Sequence, residues 1–523
     1  MRSRRCFLAL LVLHLEPVVP EGLSYKPLHQ ISKGIKSMGF NCVRLTWPIL
    51  LVTNDSLASL TVRQSFQNLA LTDSIAAIQA NNPSIIDLTL IQAFQAVVKS
   101  LEDNDVMVIL DNHVTQPGWC CNDNDDNGFF GDKYFNAQLW IQGLTKMTTI
   151  FNGVSNVVGM GLRNELHGPK QNVNDWYKYM EKGAEAVHAA NPDVLIMFSG
   201  LRYDVNFSFI RNRAVQLSFK GKLVFEAHWY AFTDRELWVQ GNLNPVGAQI
   251  YANITTNSAF LLDQGWPLFF GEFGVDLRGT NLNDNRYIPC FMALAADLDF
   301  DWAYWTLVGS YYFRQGVVGM EEFYGLLSPD RATLRNTTFL PRISSLQLPF
   351  RGPSIIQGNP YKVIYHPLTG LCLTRKSKMG PLRLGPCSIS NSWEYTPQKI
   401  LTIKGTYYCL QADQEGNPAK LGTICSASNS KWETISDSKL HFSSNLTHGS
   451  KFCLDVDSNN NIVTNACKCL STELTCDPAS QWFKLVETGR TISSISTTSS
   501  ILDLPYKNIW RTIENQSKVL LVQ

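Results

Sequence analysis

From residue 40 to about 312 the chain alternates short apolar runs with amphipathic stretches, the periodicity of repeated βα units. Phe40–Trp47, Val106–Val114, Val157–Glu165, Val194–Ser199, Leu223–Tyr230, Leu268–Phe273 and Trp302–Leu307 read as strands. Leu90–Glu102, Gln138–Ile150 and Asp175–Ala190 read as helices between them, the last stopped by Asn191-Pro192. These seven strands predict most of a closed (β/α)8 barrel, an α/β fold that needs eight. Upstream, only Cys6–Leu15 is apolar enough to be the first strand. Preceded by Arg2, Arg4 and Arg5, that segment also has the layout of a signal peptide, although no small-x-small cleavage site follows it. Residues 1–22 therefore read either as a signal peptide or as the first barrel strand.

The pattern changes after about Ser344. Pro349, Gly352, Pro353, Gly358 and Pro360 mark a linker, read at 346–356, and helical periodicity ends. Three related units follow: GLCLTRKSKMGPLRLGPCSISNSWEYTP, YYCLQADQEGNPAKLGTICSASNSKWETIS and FCLDVDSNNNIVTNACKCLSTELTCDPASQWFKLV. Each opens on Cys-Leu, carries a second Cys about 15 residues on, and closes on a Trp with a strand-like run: Trp393, Trp432, Trp482. Repeats at this spacing predict a threefold all-β domain. They pair Cys372 with Cys387 and Cys409 with Cys425, short closures that staple a small core. In the third unit Cys453 pairs with Cys467 or Cys469, and Cys476 takes what is left. From Thr488 the tail, with ISSISTTSS, is low-complexity sequence without a readable function.

Composition narrows the function classes. Of 523 residues, 45 are Lys or Arg and 44 Asp or Glu, for a net charge of +1, which excludes a nucleic-acid binder working through a basic surface. Charged residues are only 17%, and aromatics 11% with 13 Trp, a supply of flat faces that suits sugar rings. Eight of the 13 Cys fall between Cys372 and Cys476, a density suited to an oxidising compartment. Sequons at Asn54, Asn206, Asn253, Asn336, Asn445 and Asn515 agree with export. No apolar stretch reaches the length of a membrane span. These features predict a secreted, extracellular or cell-wall protein.

The candidate chemistry sits at strand C-terminal ends, where barrel enzymes keep their catalytic groups. The fourth strand runs into Arg-Asn164-Glu165-Leu-His167, and the seventh ends Gly-Glu272-Phe-Gly. A carboxylate in an apolar run is costly unless paired or used. Two of them on one barrel face are what glycosidic cleavage needs: one acid for the departing oxygen, one nucleophile or base at the anomeric carbon. Around them, Arg44 ends strand two (CVRLTW), His113 strand three (LDNH), His228 and Tyr230 strand six (EAHWY), and Trp305 strand eight (AYWTL). Trp119-Cys120-Cys121 with Asn122–Asp126 lacks the spaced Gly and terminal Glu of an EF-hand, and reads as a solvated loop with a disulfide from Cys120 or Cys121.

The ordered set VRL, DNH, RNE, HWY, GEFG and YWT resembles glycoside hydrolase family 5, a retaining (β/α)8 family, and its plant cellulase-like members in particular. The resemblance spans roughly residues 28–345 and places a hydrolase barrel at 23–345. It implies Glu165 as general acid/base and Glu272 as nucleophile, their carboxyl groups about 5–5.5 Å apart. It also implies that Tyr230 and Arg44 hold Glu272, and that Asn164 meets the sugar 2-hydroxyl. His113 and His228 would bind hydroxyls and orient the carboxylates, and Trp305 would floor the sugar. No cofactor or metal is implied.

The three repeats resemble the ricin-type β-trefoil lectin fold over 357–487, with Gln481-x-Phe483 and its counterparts Ser392-x-Glu394 and Lys431-x-Glu433. Family sites place an Asp soon after a repeat's first Cys. Only the third repeat has it, Asp455, where the others have Thr374 and Gln411. Asp455 is therefore the candidate lectin residue, and Trp393, Trp432 and Trp482 read as core. Taken together, the residues and these resemblances predict a monomeric retaining glycosidase of a β-linked polysaccharide or oligosaccharide, β-glucan or mannan in class, with a carbohydrate-binding module. The alternatives are an exo-acting glucosidase, mannosidase or transglycosidase, and a sugar-binding protein whose barrel has lost activity.

Overall fold

The computed structural model describes the backbone of residues 7–11 and residues 16–347, 361–375, 380–446, 450–471 and 473–487. The tail read at 488–523 and most of the linker read at 346–356 lie outside the described residues. Eight parallel strands close a barrel in chain order: β1 (Phe7–Leu11), β2 (Cys42–Pro48), β3 (Met107–Val114), β4 (Val157–Gly161), β5 (Leu195–Ser199), β6 (Leu223–His228), β7 (Leu268–Phe273) and β8 (Asp301–Tyr304). The segment with two readings is thus β1, paired with β2 from Leu8↔Cys42 to Leu11↔Leu45 and with β8 from Phe7↔Trp302 to Ala9↔Tyr304.

Several of the barrel helices begin at a side-chain cap in the sequence. Thr89 and Gln92 make a reciprocal capping box at the head of Leu90–Glu102, satisfying two otherwise orphaned amides. Asn136, Asn172 and Asn281 cap Ala137–Ile150, Val173–Ala190 and Leu282–Leu298, each accepting a backbone N–H from three residues on. Leu90–Glu102 buries Leu90, Ala93, Phe94, Val97, Val98 and Leu101, the i, i+3, i+4 stripe that must face the sheet.

Strand alternation then sorts the barrel lumen. Cys42, Met107, Ile109, Val158, Leu195, Met197, Val224, Phe269 and Ala303 form an apolar plug at its N-terminal end. Two residues further along the same faces stand Arg44, Asp111, Glu226 and Trp305, and His113 and His228 come two beyond Asp111 and Glu226. The lumen thus passes from dry to charged within one side-chain layer.

Residues 361–487 form the all-β domain. Lys362–His366 pairs with Leu371–Arg375, with Trp393–Tyr395 and with the closing strand Lys484–Glu487. Cys372–Cys387, Cys409–Cys425, Cys453–Cys467 and Cys469–Cys476 are bonded, which resolves the pairing left open in the third repeat. Trp393 and Trp432 sit in the domain's own core with Leu373, Leu410 and Leu454. Trp482 instead joins the apolar cluster that runs on from the barrel, with Val363, Tyr365 and Val486. Its Nε1 donates to Asn244 Oδ1 of the barrel at 3.1 Å. The Asn244 amide donates to Cys469 O at 3.0 Å, and Asn242 Nδ2 to Ser471 O at 2.9 Å and Glu473 O at 3.0 Å. Among the described residues no helix is long and apolar enough to cross a membrane.

Candidate active site

The C-terminal mouth of the barrel gathers eight residues expected from the sequence: Arg44, His113, Asn164, Glu165, His228, Tyr230, Glu272 and Trp305. Arg44 differs from expectation in place. It is the third of seven residues in β2, not its end, and its long side chain carries the guanidinium up to the site. β4 also stops earlier than expected, at Gly161, so Asn164 and Glu165 stand on the loop beyond it.

Arg44 is the hub. Nη1 donates to Glu272 Oε1 at 2.9 Å and lies 3.1 Å from Asp111 Oδ2, Nη2 donates to Asn164 Oδ1 at 2.7 Å, and Nε lies 2.7 Å from Glu226 Oε1. The other Glu272 oxygen accepts the Tyr230 hydroxyl at 2.8 Å. Both Glu272 oxygens are therefore held. Glu165 is held at one, with Oε1 3.0 Å from His228 Nδ1. One carboxylate oxygen of Glu165, one of Glu272 and a ring nitrogen of His228 all lie within 4.8 Å of one another. The Glu165 side chain is 17% exposed and that of Glu272 5%, so Glu165 is the one open to the cleft.

Burial on this scale shifts protons. Burial pushes Glu272 up to about 7, with His228 and Arg44 pulling it back. Asp111 is likewise raised to about 7. Burial also opposes charge on Glu226, yet Arg44 and His228 hold it below the usual carboxylate range. Burial disfavours the His228 cation, but Glu272 and Asp204 outweigh it and raise that imidazole well above its ordinary value. Burial, with Arg44 nearby, keeps His113 neutral. Its Nδ1 lies 2.7 Å from Asp111 Oδ2, and Nε2 lies 3.4 Å from Asn164 Nδ2, so a neutral ring with its proton on Nδ1 satisfies both contacts.

Aromatic faces flank the carboxylates. Trp305 stacks on His113 with centroids 5.8 Å apart and meets Trp119 edge-on at 6.5 Å. Phe232, 58% exposed, lies nearly parallel to Tyr230 at 4.7 Å. Cys120 and Cys121 are bonded to each other, with their sulfurs 3.7 and 4.0 Å from Asn164 Nδ2.

Sequence reasoning passed over Asp111, Asp204, Glu226 and Phe232. Asp111 and Glu226 carried the same signal as Glu272, a carboxylate in an apolar strand at an inward position. Asp204 gave none, because its loop has no sequence signature. Asp455 lies away from this site and is buried: Oδ1 accepts from the Val456 amide at 2.8 Å, Oδ2 from Asn465 at 2.9 Å and Gln481 at 3.1 Å.

The comparisons with known proteins agree with this architecture. The model of the cellulase family, glycosyl hydrolase family 5, matches residues 21–310, and that of the ricin-type beta-trefoil lectin domain residues 361–482. A glycosyl hydrolase 5 family protein of Chamaecyparis obtusa is 41% identical over 497 residues, 91% of this chain and 88% of its own. An endoglucanase of Paenibacillus polymyxa is 22% identical over 316 residues, 55% of this chain and 70% of its own. Among solved structures, the catalytic domain of the major endoglucanase of Xanthomonas campestris pv. campestris shares the fold at a TM-score of 0.51 and 18% identity, over 64% of this chain and 92% of that one. A hyperthermophilic endocellulase of Pyrococcus horikoshii does so at 0.52 and 18%, over 63% and 88%. The chain belongs to glycosyl hydrolase family 5, and is a glycoside hydrolase whose barrel is joined to a ricin-type trefoil.

Proposed function

We propose that the barrel hydrolyses a β-linked polysaccharide of the β-glucan or mannan class with retention of anomeric configuration. The observation that carries the reading is the closeness of Glu165 and Glu272, one carboxylate oxygen of each lying within 4.8 Å of the other. Retaining enzymes need short separations, whereas inverting ones leave about 6.5–9.5 Å for a water. Glu272 attacks the anomeric carbon while Glu165 gives its proton to the departing glycosidic oxygen. A water then enters, Glu165 takes its proton, and the Glu272 ester breaks. Arg44 and Tyr230 fix the two Glu272 oxygens, so the attacking group is oriented before substrate arrives. The endoglucanases among the relatives support the substrate class, and Phe232, Trp119 and Trp305 offer faces for more than one sugar ring. The trefoil is read as the carbohydrate-binding partner of the barrel, and its four disulfides support export from the cell.

The test is trapping. The purified chain is incubated with activated 2-fluoro glucosyl and mannosyl donors, digested and weighed by mass spectrometry. Mass added at Glu272 is expected, with release of reducing ends from β-glucan or mannan. No labelling with either donor and no release from either polysaccharide would overturn the reading.

A further inference from the structure

Outside the eight residues above, a buried carboxylate reaches the same centre from the turn that follows β5. The turn Leu201–Asp204 has three consecutive non-glycine residues in the left-handed region: Arg202 at φ 55°, Tyr203 at 59° and Asp204 at 61°. Left-handed backbone disfavours these side chains, so a run of three persists only where the surroundings over-determine it. Here they do. The Tyr203 ring stacks on His167 at 5.0 Å and 3°, its amide donates to Leu166 O at 3.0 Å, and its hydroxyl donates to Asp123 at 2.6 Å. The Arg202 amide donates to Gln171 Oε1 at 2.7 Å. The turn is thus clamped to the loop that carries Glu165.

The clamp delivers one carboxylate. Asp204 is wholly buried, and Oδ2 accepts the Glu165 amide at 3.1 Å. Glu165 itself is left-handed, at φ 44°, so the orientation of that amide sets where its side chain starts. The same Oδ2 lies 3.6 Å from His228 Nε2, while His228 Nδ1 faces Glu165 Oε1 at 3.0 Å. A closed ring results: Glu165 backbone, Asp204, His228, Glu165 carboxyl group. Oδ1 of Asp204 makes no hydrogen bond among the described residues.

We propose that Asp204 is a positioning residue for the acid/base step, fixing Glu165 through its amide and, by way of His228, through its carboxyl group. This rests on the retaining reading above. The charged groups around His228 are Glu165, Asp204, Glu226 and Glu272, with Arg44 and Asp111 in the same nest. Removing the Asp204 charge therefore weakens one of several partners, not all of them.

The experiment compares leaving groups in the full chain. A dinitrophenyl glycoside departs without a proton, whereas an alkyl or unsubstituted aryl glycoside needs one from Glu165. Asp204→Asn keeps an acceptor for the Glu165 amide and loses the charge beside His228, and Asp204→Ala loses both. With the poor leaving group, kcat/KM is expected to fall about tenfold or more for Asn and further for Ala, part of the roughly 10²–10⁴-fold that acid–base catalysis supplies. With the dinitrophenyl substrate kcat/KM changes less than about threefold, and the basic limb of the pH profile moves down, because losing the anion beside Glu165 and His228 disfavours the protonated form of each. Equal losses on both substrates with an unmoved pH limb would overturn the proposal, since a structural defect is blind to the leaving group. Should Asp204→Asn not fold, Asp204→Glu carries the leaving-group comparison alone, because it keeps the charge and displaces the oxygens by one methylene. Wild-type chain inactive on every glycoside would instead sink the retaining reading, independently of Asp204.

Discussion

Arg44 and Glu272, 228 positions apart in the chain, meet in a buried 2.9 Å hydrogen bond from Nη1 to Oε1. The same guanidinium also touches Asp111, Glu226 and Asn164, so a single cation from β2 organises groups from β3, β6, β7 and the loop after β4. A planar fork can do this and a point charge cannot.

Arg44→Met leaves Asp111, Glu226 and Glu272 without their cation. Unfolding stability is expected to drop by about 3–5 kcal/mol, the usual cost of breaking a buried pair from one side. Arg44→Lys restores most of the stability and little of the activity, with kcat/KM about 10²-fold or more below wild type. Denaturant melts and kinetics on one aryl glycoside check both.

In the proposed reaction Glu272 must be ionised to attack, and burial holds its carboxyl up to about 7. The acid side of the kcat/KM profile should therefore fall as pH drops through about 7, well above the ordinary carboxylate range near 4.5. Tyr230→Phe removes a hydrogen bond to the ionised form and moves this limb to still higher pH. A limb near pH 4.5 would contradict the assignment.

Gly271 precedes Glu272 on β7, and a Cβ there would overlap Glu226 Oε1. Gly271→Ala should cost about 1–3 kcal/mol and lower kcat/KM, because Glu226 must leave Arg44 to make room. Gly34, inside helix Leu28–Ser37, where a Cβ would meet nothing within 4 Å, is the control. Gly34→Ala should gain about 0.5–1 kcal/mol with unchanged kinetics.

Asn244 joins the two domains by accepting from Trp482 Nε1 and Ser438 and donating to Cys469 O. Asn244→Ala strands the buried indole N–H, at a cost of about 1–3 kcal/mol. Calorimetry should show the trefoil transition separating from that of the barrel.

His366 and His441 of the trefoil are both depressed to about 4 by burial. A depressed imidazole favours folding above its unfolded value near 6.5, and that contribution is lost as pH falls toward about 4. Long-range ¹H–¹⁵N spectra at pH 5 should find both rings neutral; a charged ring at either would contradict their burial.

Much of this was local and therefore legible. Strand and helix periodicity reports burial directly, so Leu90–Glu102 came out with its observed bounds and Leu268–Phe273 likewise. Repeat spacing paired Cys372 with Cys387 and Cys409 with Cys425, since a fixed period fixes which residues recur at equivalent positions. Glu165 and Glu272 were legible because a carboxylate beside an apolar strand is costly enough to be conspicuous.

Closure decided the rest. Whether Cys6–Leu15 served as a strand could not be read from its own composition, and pairing with both β2 and β8 places Phe7–Leu11 in the barrel. Cys453 had two partners available in sequence, and the antiparallel register that pairs Phe452 with Ala466 brings Cys467 to it. Arg44 looked like a strand end and is a strand interior, because only the lumen shows how far a guanidinium reaches. Asp204 had no signature at all: its place beside Glu165 and His228 follows from a left-handed turn that neighbouring loops hold. Sequence thus determined the elements and the two carboxylates, through periodicity and the cost of burying charge. Tertiary structure decided which buried charges share a cation, because that depends on distances across the lumen between residues far apart in the chain.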